Sequence, residues 1–218
     1  MSTDVPRFMQ GLLPTEVEEY LYHTLPQRDP VFRDMESYAD EKGVPIVGPA
    51  VGRLLFQLAK MTGAKRIFEM GSAIGYSTLW WALALGDGGV VFYTDSDRRN
   101  ADRARESFQH AGVLERVKIK IGDALEILSE RKGEFDIIFN DVDKMQYPQA
   151  FKLAAEKIRK GGLYVVDNVL WSGRVANPNE NDENTQAIVE HNRLLFEHKE
   201  FLSTIIPLRD GVGIALKL

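Results

Sequence analysis

Three oxygen-bearing side chains directly follow two hydrophobic segments of the chain. Asp141 comes after the segment FDIIFN, and Asp167 with Asn168 comes after the segment LYVV. Two carboxylates and one amide oxygen form a hard ligand set, which suits Mg²⁺, Mn²⁺ or Ca²⁺ better than Zn²⁺. Parallel strands end at the same edge of a sheet, so these side chains are expected to converge. The spacing predicts a site for one divalent cation, with Mg²⁺ as the first choice.

Lys144 lies three residues after Asp141 and is suited to a reaction beside such a cation. A dication that holds a hydroxyl group of a small molecule lowers the pKa of that group and orients its oxygen for attack. Lys144 then either accepts the proton of the hydroxyl group or stabilises charge electrostatically. A lysine acts as a base only where burial or nearby positive charge lowers its pKa. The simpler alternatives are a turn cap at Asp141, an Asx turn at Asp167, and a solvated lysine.

A glycine-bearing turn upstream is typical of a site for a nucleoside cofactor. After the segment RIFEM, the turn contains Gly71, Ala73 and Gly75, small residues that let a ligand approach the backbone closely. Asp95 ends the next hydrophobic segment, about twenty residues further on, where a carboxylate can accept both hydroxyl groups of a ribose. This arrangement predicts that an adenosine-type ligand lies against the turn.

Further residues indicate what the adenosine carries. Asp123 and Ala124 follow the third hydrophobic segment, VKIKI, and are placed to flank an adenine. Glu69 and Ser77 lie on either side of the glycine turn, where they can bind an amine and a carboxylate. The predicted ligand is therefore adenosine with an amino-acid end rather than a dinucleotide.

The order of the hydrophobic segments predicts an α/β fold. Residues 1–62 form a helical N-terminal portion, in which Thr15 and Glu18 match a capping box. In residues 63–218, apolar runs alternate with amphipathic helices, which predicts a mostly parallel sheet with helices on both faces. The last two runs are joined by Arg209 and Asp210, a connection so short that these strands must be antiparallel. We interpret residues 1–218 as one domain with a Rossmann-like core.

Composition excludes several classes of function. The chain has 218 residues, a net charge of −5 and no cysteine. The charge argues against nucleic acid as a partner, and the missing cysteines exclude thiolate metal sites. No apolar run reaches the roughly 20 residues of a membrane helix, so a cytoplasmic location is expected. The four histidines show no metal-ligand spacing and are predicted at the surface; they are His23, His110, His191 and His198.

Five segments taken together resemble a known family. They are EMGSAIGYST, YTDSD, IGDALEIL, FNDVDK and VVDNVLWSG. In this order and spacing they are similar to the cation-dependent S-adenosylmethionine (SAM) O-methyltransferases related to catechol and caffeoyl-CoA O-methyltransferases. The resemblance covers roughly residues 45 to 218 and implies a class I methyltransferase fold, with a seven-stranded sheet that ends in an antiparallel hairpin. The caffeoyl-CoA branch of this family suggests a homodimer whose interface lies under the N-terminal helices; the alternative is that these helices fold over the acceptor pocket.

The resemblance assigns roles by position. It gives the SAM site to Val47 through its backbone, and to Glu69, Gly71, Ser77, Asp95, Asp123, Ala124 and Asp141. It gives the metal to Asp141, Asp167 and Asn168, and catalysis to Lys144 with Asp141. Asn140 departs from the family pattern, since many relatives have a hydrophobic residue before the first metal aspartate.

The predicted function is cation-dependent methylation of one hydroxyl group of a catechol-like small molecule. A nicotinamide-dependent oxidoreductase is disfavoured because Tyr76 stands where a dinucleotide turn has its third glycine. A methyltransferase acting on nitrogen or nucleic acid would need no cation. A non-catalytic cofactor-binding protein is the remaining alternative. Trp171 either stacks on the acceptor or packs in the core, while Trp80 and Trp81 are predicted to pack.

Overall fold

The computed structural model describes residues 11–177 and 179–218. The helices are α1 (Thr15–Thr24), α2 (Pro30–Lys42), α3 (Gly48–Thr62), α4 (Tyr76–Ala84), α5 (Arg98–His110), α6 (Ala124–Ser129), α7 (Tyr147–Lys157) and α8 (Glu183–Glu197). The strands are β1 (Arg66–Met70), β2 (Val90–Asp95), β3 (Val117–Ile121), β4 (Phe135–Asn140), β5 (Ile158–Val166), β6 (Phe201–Ile206) and β7 (Val212–Lys217). Within the described part of the chain, every helix is too short or too polar to traverse a bilayer.

The seven strands form one sheet in the order β3-β2-β1-β4-β5-β7-β6. The first five strands pair in parallel, whereas β7 runs antiparallel to both β5 and β6. The predicted sheet with its C-terminal antiparallel hairpin is confirmed. Because β1, β2, β4 and β5 are parallel, their carboxyl ends all lie at the same edge of the sheet.

Each inner strand contributes alternate side chains to two separate hydrophobic clusters, as its period of two requires. Ile67 and Ile137 belong to the cluster beneath helices α2 to α5, while the neighbouring Phe68 and Ile138 belong to the cluster beneath α6 to α8. All four side chains are completely buried. The predicted helices on both faces are confirmed, and this burial makes the central strands a rigid support for the residues at their ends.

Helices α1, α2 and α3 occupy most of residues 11–62, and residues 1–10 of the predicted helical portion lie outside the described residues. The predicted capping box is wrong. Helix α1 begins at Thr15, its N-cap residue is Pro14, and no side chain caps it. Glu18 instead accepts hydrogen bonds from the backbone N–H groups of Gly11 (3.0 Å) and Leu13 (3.4 Å). The segment before the helix therefore folds back over Glu18. The backbone N–H groups of Val17 and Glu18 donate to the carbonyl of Pro14 at 2.9 Å and 3.1 Å, so Pro14, and not Thr15, occupies the N-cap position.

Candidate active site

A cavity of about 1070 Å³ opens at the carboxyl edge of the sheet. It brings together most of the predicted site residues: Gly71, Asp95, Asp123, Ala124, Asp141, Lys144, Asp167 and Asn168. The other three, Val47, Glu69 and Ser77, are buried and do not line this cavity. The residues predicted from distant segments thus converge on one cavity, with three of them lying outside its wall.

The glycine turn is pressed against the first predicted metal ligand. Gly71 has a φ of +79°, and a Cβ atom added there would lie 2.4 Å from the carbonyl oxygen of Asp141. The backbone N–H of Asp141 donates to the carbonyl of Met70 at 2.8 Å. Only glycine fits this approach, so the turn between β1 and α4 and the end of β4 form one rigid backbone unit.

Asp95 organises the turn through its carboxylate. Oδ2 accepts from the backbone N–H of Ala73 at 2.9 Å, and Oδ1 accepts from Asp97 N–H at 2.8 Å and Asn100 Nδ2 at 3.1 Å. The hydroxyl of Tyr93 donates to the carbonyl of Ala73 at 2.6 Å. Asp95 thus already has partners, and it faces the cavity as a fixed acceptor suited to ribose hydroxyls.

Glu69 is a buried carboxylate with an unused oxygen. Its Oε2 accepts from the Thr78 hydroxyl, whereas Oε1 is buried without a hydrogen-bond partner. Burial raises the pKa of Glu69 to about 7, and the nearby hydroxyl groups of Ser77, Thr78 and Ser72 oppose that rise. An unpartnered buried acceptor costs free energy until a donor arrives. The orphaned oxygen fits the ammonium group of an amino-acid end.

Asp123 has a structural role beside the predicted one. Its Oδ1 caps helix α6 by accepting from the N–H groups of Leu125 (2.8 Å) and Glu126 (2.9 Å). Its Oδ2 accepts from Gln146 Nε2 at 3.2 Å. Sequence reasoning did not distinguish this cap from a contact with adenine. The contact of Asp123 and Ala124 with adenine stays a prediction.

Lys144 draws the predicted metal ligands together. Its ammonium group donates to Asp141 Oδ1 (3.1 Å), to Asn168 Oδ1 (2.9 Å) and to the hydroxyl of Tyr147 (2.6 Å). The three contacts use all three N–H donors of the ammonium group. The oxygens of Asp141 and Asn168 therefore lie within reach of a single cationic centre. In this arrangement Lys144 is a charged hydrogen-bond donor.

Asp167 leaves one oxygen free at this centre. The side chain is 1% exposed, and its Oδ2 accepts from Arg209 Nη1 at 2.9 Å. Its Oδ1 is buried without a hydrogen-bond partner. A buried carboxylate oxygen without a donor is expensive, and a cation would satisfy it. Asn168 has a φ of +58° and donates through Nδ2 to Asp210 Oδ2 at 3.4 Å, which directs its amide oxygen towards Lys144.

The electrostatics of the centre reflect crowded carboxylates. Burial raises the pKa of Asp141 to about 6, Lys144 opposes that rise, and nearby Asp167 adds to it. Burial likewise raises the pKa of Asp210. Within the described residues, no group of three histidine, cysteine, aspartate or glutamate side chains is arranged to hold a metal ion. The predicted ligand set, with two carboxylates and the amide of Asn168, is not a group of that kind.

Sequence reasoning missed several residues of the site. Arg209 and Asp210 were interpreted only as the hairpin connection, yet both line the cavity. Tyr147 donates to the carbonyl of Asp167 at 3.0 Å and accepts from Lys144. Two signals were available, because Arg209 carries charge in a tight turn and Tyr147 follows Lys144 by three residues. Neither signal identifies its partner without the fold.

The remaining aromatic and histidine predictions have mixed outcomes. Trp80 and Trp81 pack in the core as predicted, at 8% and 0% exposure. Trp171 lines the cavity, with the Lys144 ammonium 5.7 Å from its ring centre. The surface prediction is wrong for His191, which is fully buried among Tyr147, Phe151 and Tyr164. Its neighbours on α7 and β5 are aromatic, which the sequence of α8 alone does not reveal.

Comparison with known proteins agrees with this geometry. A family model described as O-methyltransferase matches residues 34–218. A catechol O-methyltransferase from Niastella koreensis is 32% identical over 219 residues, which cover 95% of this chain and 99% of that protein.

Solved structures show the same fold. An O-methyltransferase from Bacillus cereus in complex with SAH has a TM-score of 0.85 and 30% identity, covering 94% of this chain and 98% of that one. The O-methyltransferase TomG from Streptomyces achromogenes, in complex with SAM, has a TM-score of 0.84 and 30% identity over 93% and 96% of the two chains. These matches favour a methyltransferase over a nicotinamide-dependent oxidoreductase. The chain belongs to the O-methyltransferase family and is a SAM-dependent O-methyltransferase.

Proposed function

We propose that this enzyme uses a divalent cation, Mg²⁺ before Mn²⁺ or Ca²⁺, to methylate one hydroxyl of a catechol-like acceptor. The observation that carries the proposal is the unpartnered, buried Oδ1 of Asp167 beside the oxygens that converge on Lys144. Asp141, Asp167 and Asn168 would hold the cation. When bound there, the cation supplies charge that lowers the pKa of a phenol and holds two adjacent oxygens. The name of the Niastella koreensis relative supports a catechol as the acceptor.

The chain's own residues would orient the two substrates and stabilise the charge that develops during the reaction. Lys144 is 13% exposed in its side chain and sits between Asp141 and the ring of Trp171. It would stabilise the phenolate that forms through its positive charge, and to accept the phenolic proton it would first have to lose one of its own protons to solvent. Trp171 would form one wall for a flat aromatic acceptor. The rigid contact of Gly71 with the Asp141 carbonyl would keep the methyl donor and the acceptor in register.

The methyl donor would occupy the other half of the cavity. Asp95 would accept from the ribose, and the unpartnered Oε1 of the buried Glu69 would accept from the amino group of SAM where that group reaches behind the cavity wall. Gly71 and Ala124 would bring backbone against the ligand. Val47 and Ser77 would act from behind the cavity wall, and Asp123 through the helix cap that orders α6.

The test is methyl transfer from SAM to a panel of catechols, with and without EDTA. We expect transfer to one hydroxyl of a vicinal diphenol, loss of activity with EDTA, and recovery with added Mg²⁺. Matched monophenols serve as the control, since a single oxygen cannot chelate the cation. Equal rates with and without EDTA would contradict the proposal. The homodimer, the single-domain organisation and the cytoplasmic location stay predictions.

A further inference from the structure

A buried polar chain joins the two segments that carry the proposed cation ligands. Asn140 Nδ2 donates to the hydroxyl of Tyr164 at 3.0 Å, and that hydroxyl lies 3.1 Å from His191 Nε2. His191 Nδ1 lies 3.1 Å from Asn192 Oδ1, and Asn192 Nδ2 donates to the carbonyl of Val169 at 2.8 Å. Asn140 directly precedes Asp141, and Val169 directly follows Asn168. We name the four side chains from Asn140 to Asn192 the buried relay.

The hydrogen-bond directions in the relay are fixed by its ends. Asn192 donates to Val169 through Nδ2, so its Oδ1 faces His191 and must accept from Nδ1–H. Nε2 of His191 then carries no proton and accepts from the Tyr164 hydroxyl. Tyr164 in turn accepts from Asn140 Nδ2. Every contact has one donor and one acceptor, with His191 neutral, and burial lowers the pKa of His191 to about 4 in keeping with this.

The relay is not needed to hold the strands together. Backbone pairing already joins β4 to β5, where Asn140 lies opposite Val166. Asn140, Tyr164 and His191 are each completely buried, and the rest of β4 is largely apolar. Polar groups in such a position are generally no more stabilising than apolar ones of similar size, but they define geometry sharply. The relay therefore calls for a role other than packing.

We propose that the buried relay positions the ligand-bearing segments and thereby sets the affinity of the site for divalent cations. The inference rests on the proposed function, because it requires the cation site at Asp141, Asp167 and Asn168. The side chain of Asn140 holds the end of β4 in place, and its Oδ1 also accepts from the backbone N–H of Val142 at 3.4 Å. Asn192 fixes the turn after Asn168 from α8. Residues behind metal ligands act in this way in general, and losing one weakens metal affinity by about 10–100-fold.

The test is the affinity for Mn²⁺ alone, measured by electron paramagnetic resonance on the whole protein. Tyr164→Phe removes the central hydroxyl and keeps the buried ring, so we expect the Kd for Mn²⁺ to rise by about tenfold. The affinity for SAM should stay within about twofold. The matched control is Tyr76→Phe, which removes another buried tyrosine hydroxyl, bonded at 2.7 Å to Glu36, away from the relay. It should leave the Kd for Mn²⁺ unchanged.

A second variant separates positioning from folding. Asn192→Ala cuts the relay at its half-buried end, and should also weaken Mn²⁺ binding. If both residues act through one relay, the effect of the double variant is smaller than the product of the single effects. An unchanged Kd in both variants, with only a lower melting temperature, would overturn the inference while the cation site stands. Absence of Mn²⁺ binding by the unaltered protein would overturn the cation site and the inference together.

Discussion

The half of the cavity proposed for the methyl donor and the half proposed for the acceptor compensate their carboxylates differently. In the donor half, Asp95 and Asp123 accept mainly from backbone N–H groups of the turns at the strand ends. In the acceptor half, Asp141 and Asp167 are compensated by the side chains of Lys144 and Arg209. Backbone donors are part of the fold, whereas charged side chains can exchange partners. The donor half is therefore preorganised, and the acceptor half is built to be completed by its ligands.

Loss of a proposed cation ligand tests this contrast most severely. We expect Asp167→Ala to abolish turnover, because the change removes a cation ligand and leaves Arg209 without its partner. SAM affinity, measured by calorimetry, should be largely retained. Asp136→Asn is the control, since Asp136 lies on β4 at the end away from the cavity and binds Arg159 at 2.6 Å. Undiminished turnover in Asp167→Ala would reject the metal role.

Removing the ammonium group should separate catalysis from metal binding. Lys144→Met is expected to lower kcat by about 10²–10⁴-fold, the usual contribution of a positioned acid or base. Mn²⁺ should bind at least as tightly, because Asp141 and Asn168 lose a competing cation. Steady-state kinetics and Mn²⁺ titration check both outcomes. Lys152→Met, an exposed lysine on α7, should behave as the unaltered enzyme. A normal kcat in Lys144→Met would contradict the catalytic role.

In the donor half, a pH dependence is expected at Glu69. Its raised pKa, about 7, leaves the carboxyl largely neutral at pH 6 and ionised at pH 8. The cationic donor binds the ionised form, so SAM affinity should increase as pH rises from 6 to 8. Glu69→Gln should weaken binding by about 10-fold at pH 8 and flatten the profile. Calorimetry at both pH values checks this. A profile that is unchanged in the variant would assign the titration to another group.

The smallest effect is expected at Arg209. Arg209→Met removes a positive charge from Asp167 and should tighten Mn²⁺ binding by roughly tenfold or less. Without a cation, the variant should melt at a lower temperature, because a buried carboxylate has lost its partner. Added Mg²⁺ should raise the melting temperature of the variant by more than it raises the melting temperature of the unaltered protein. Equal responses to Mg²⁺ would show that Arg209 and the cation do not share Asp167.

The sheet and the strand-end residues were predictable because their signals are local. The period of apolar residues sets each strand, and parallel strands present their ends at one edge, which places Gly71, Asp95 and Asp141 around the cavity. The acidic residues at two of the strand ends also predicted a cation site through their residue type. Prediction of these features needed no knowledge of packing.

Other features depend on contacts between distant segments. Arg209 reaches Asp167 because β7 inserts between β5 and β6, and His191 is buried because α8 docks against α7. Neither event is encoded in the sequence next to the residue. The prediction of the α1 cap was wrong for a different reason, since the helix begins one residue earlier than the capping box requires and Pro14 is its N-cap residue.

The placement of β7 has a consequence for biosynthesis. β7 fills the space between β5 and β6, so until residues 212–217 leave the ribosome the outer edge of β5 has no partner. The hairpin turn also delivers Arg209, and its Asp210 and Gly211 accept backbone hydrogen bonds from Leu170 and Val169. A nascent chain that already contains every residue proposed to bind SAM thus lacks a complete site for the methyl acceptor. It also exposes a strand edge that is prone to aggregation. Competence for methyl transfer arrives late, with the last strand of the sheet.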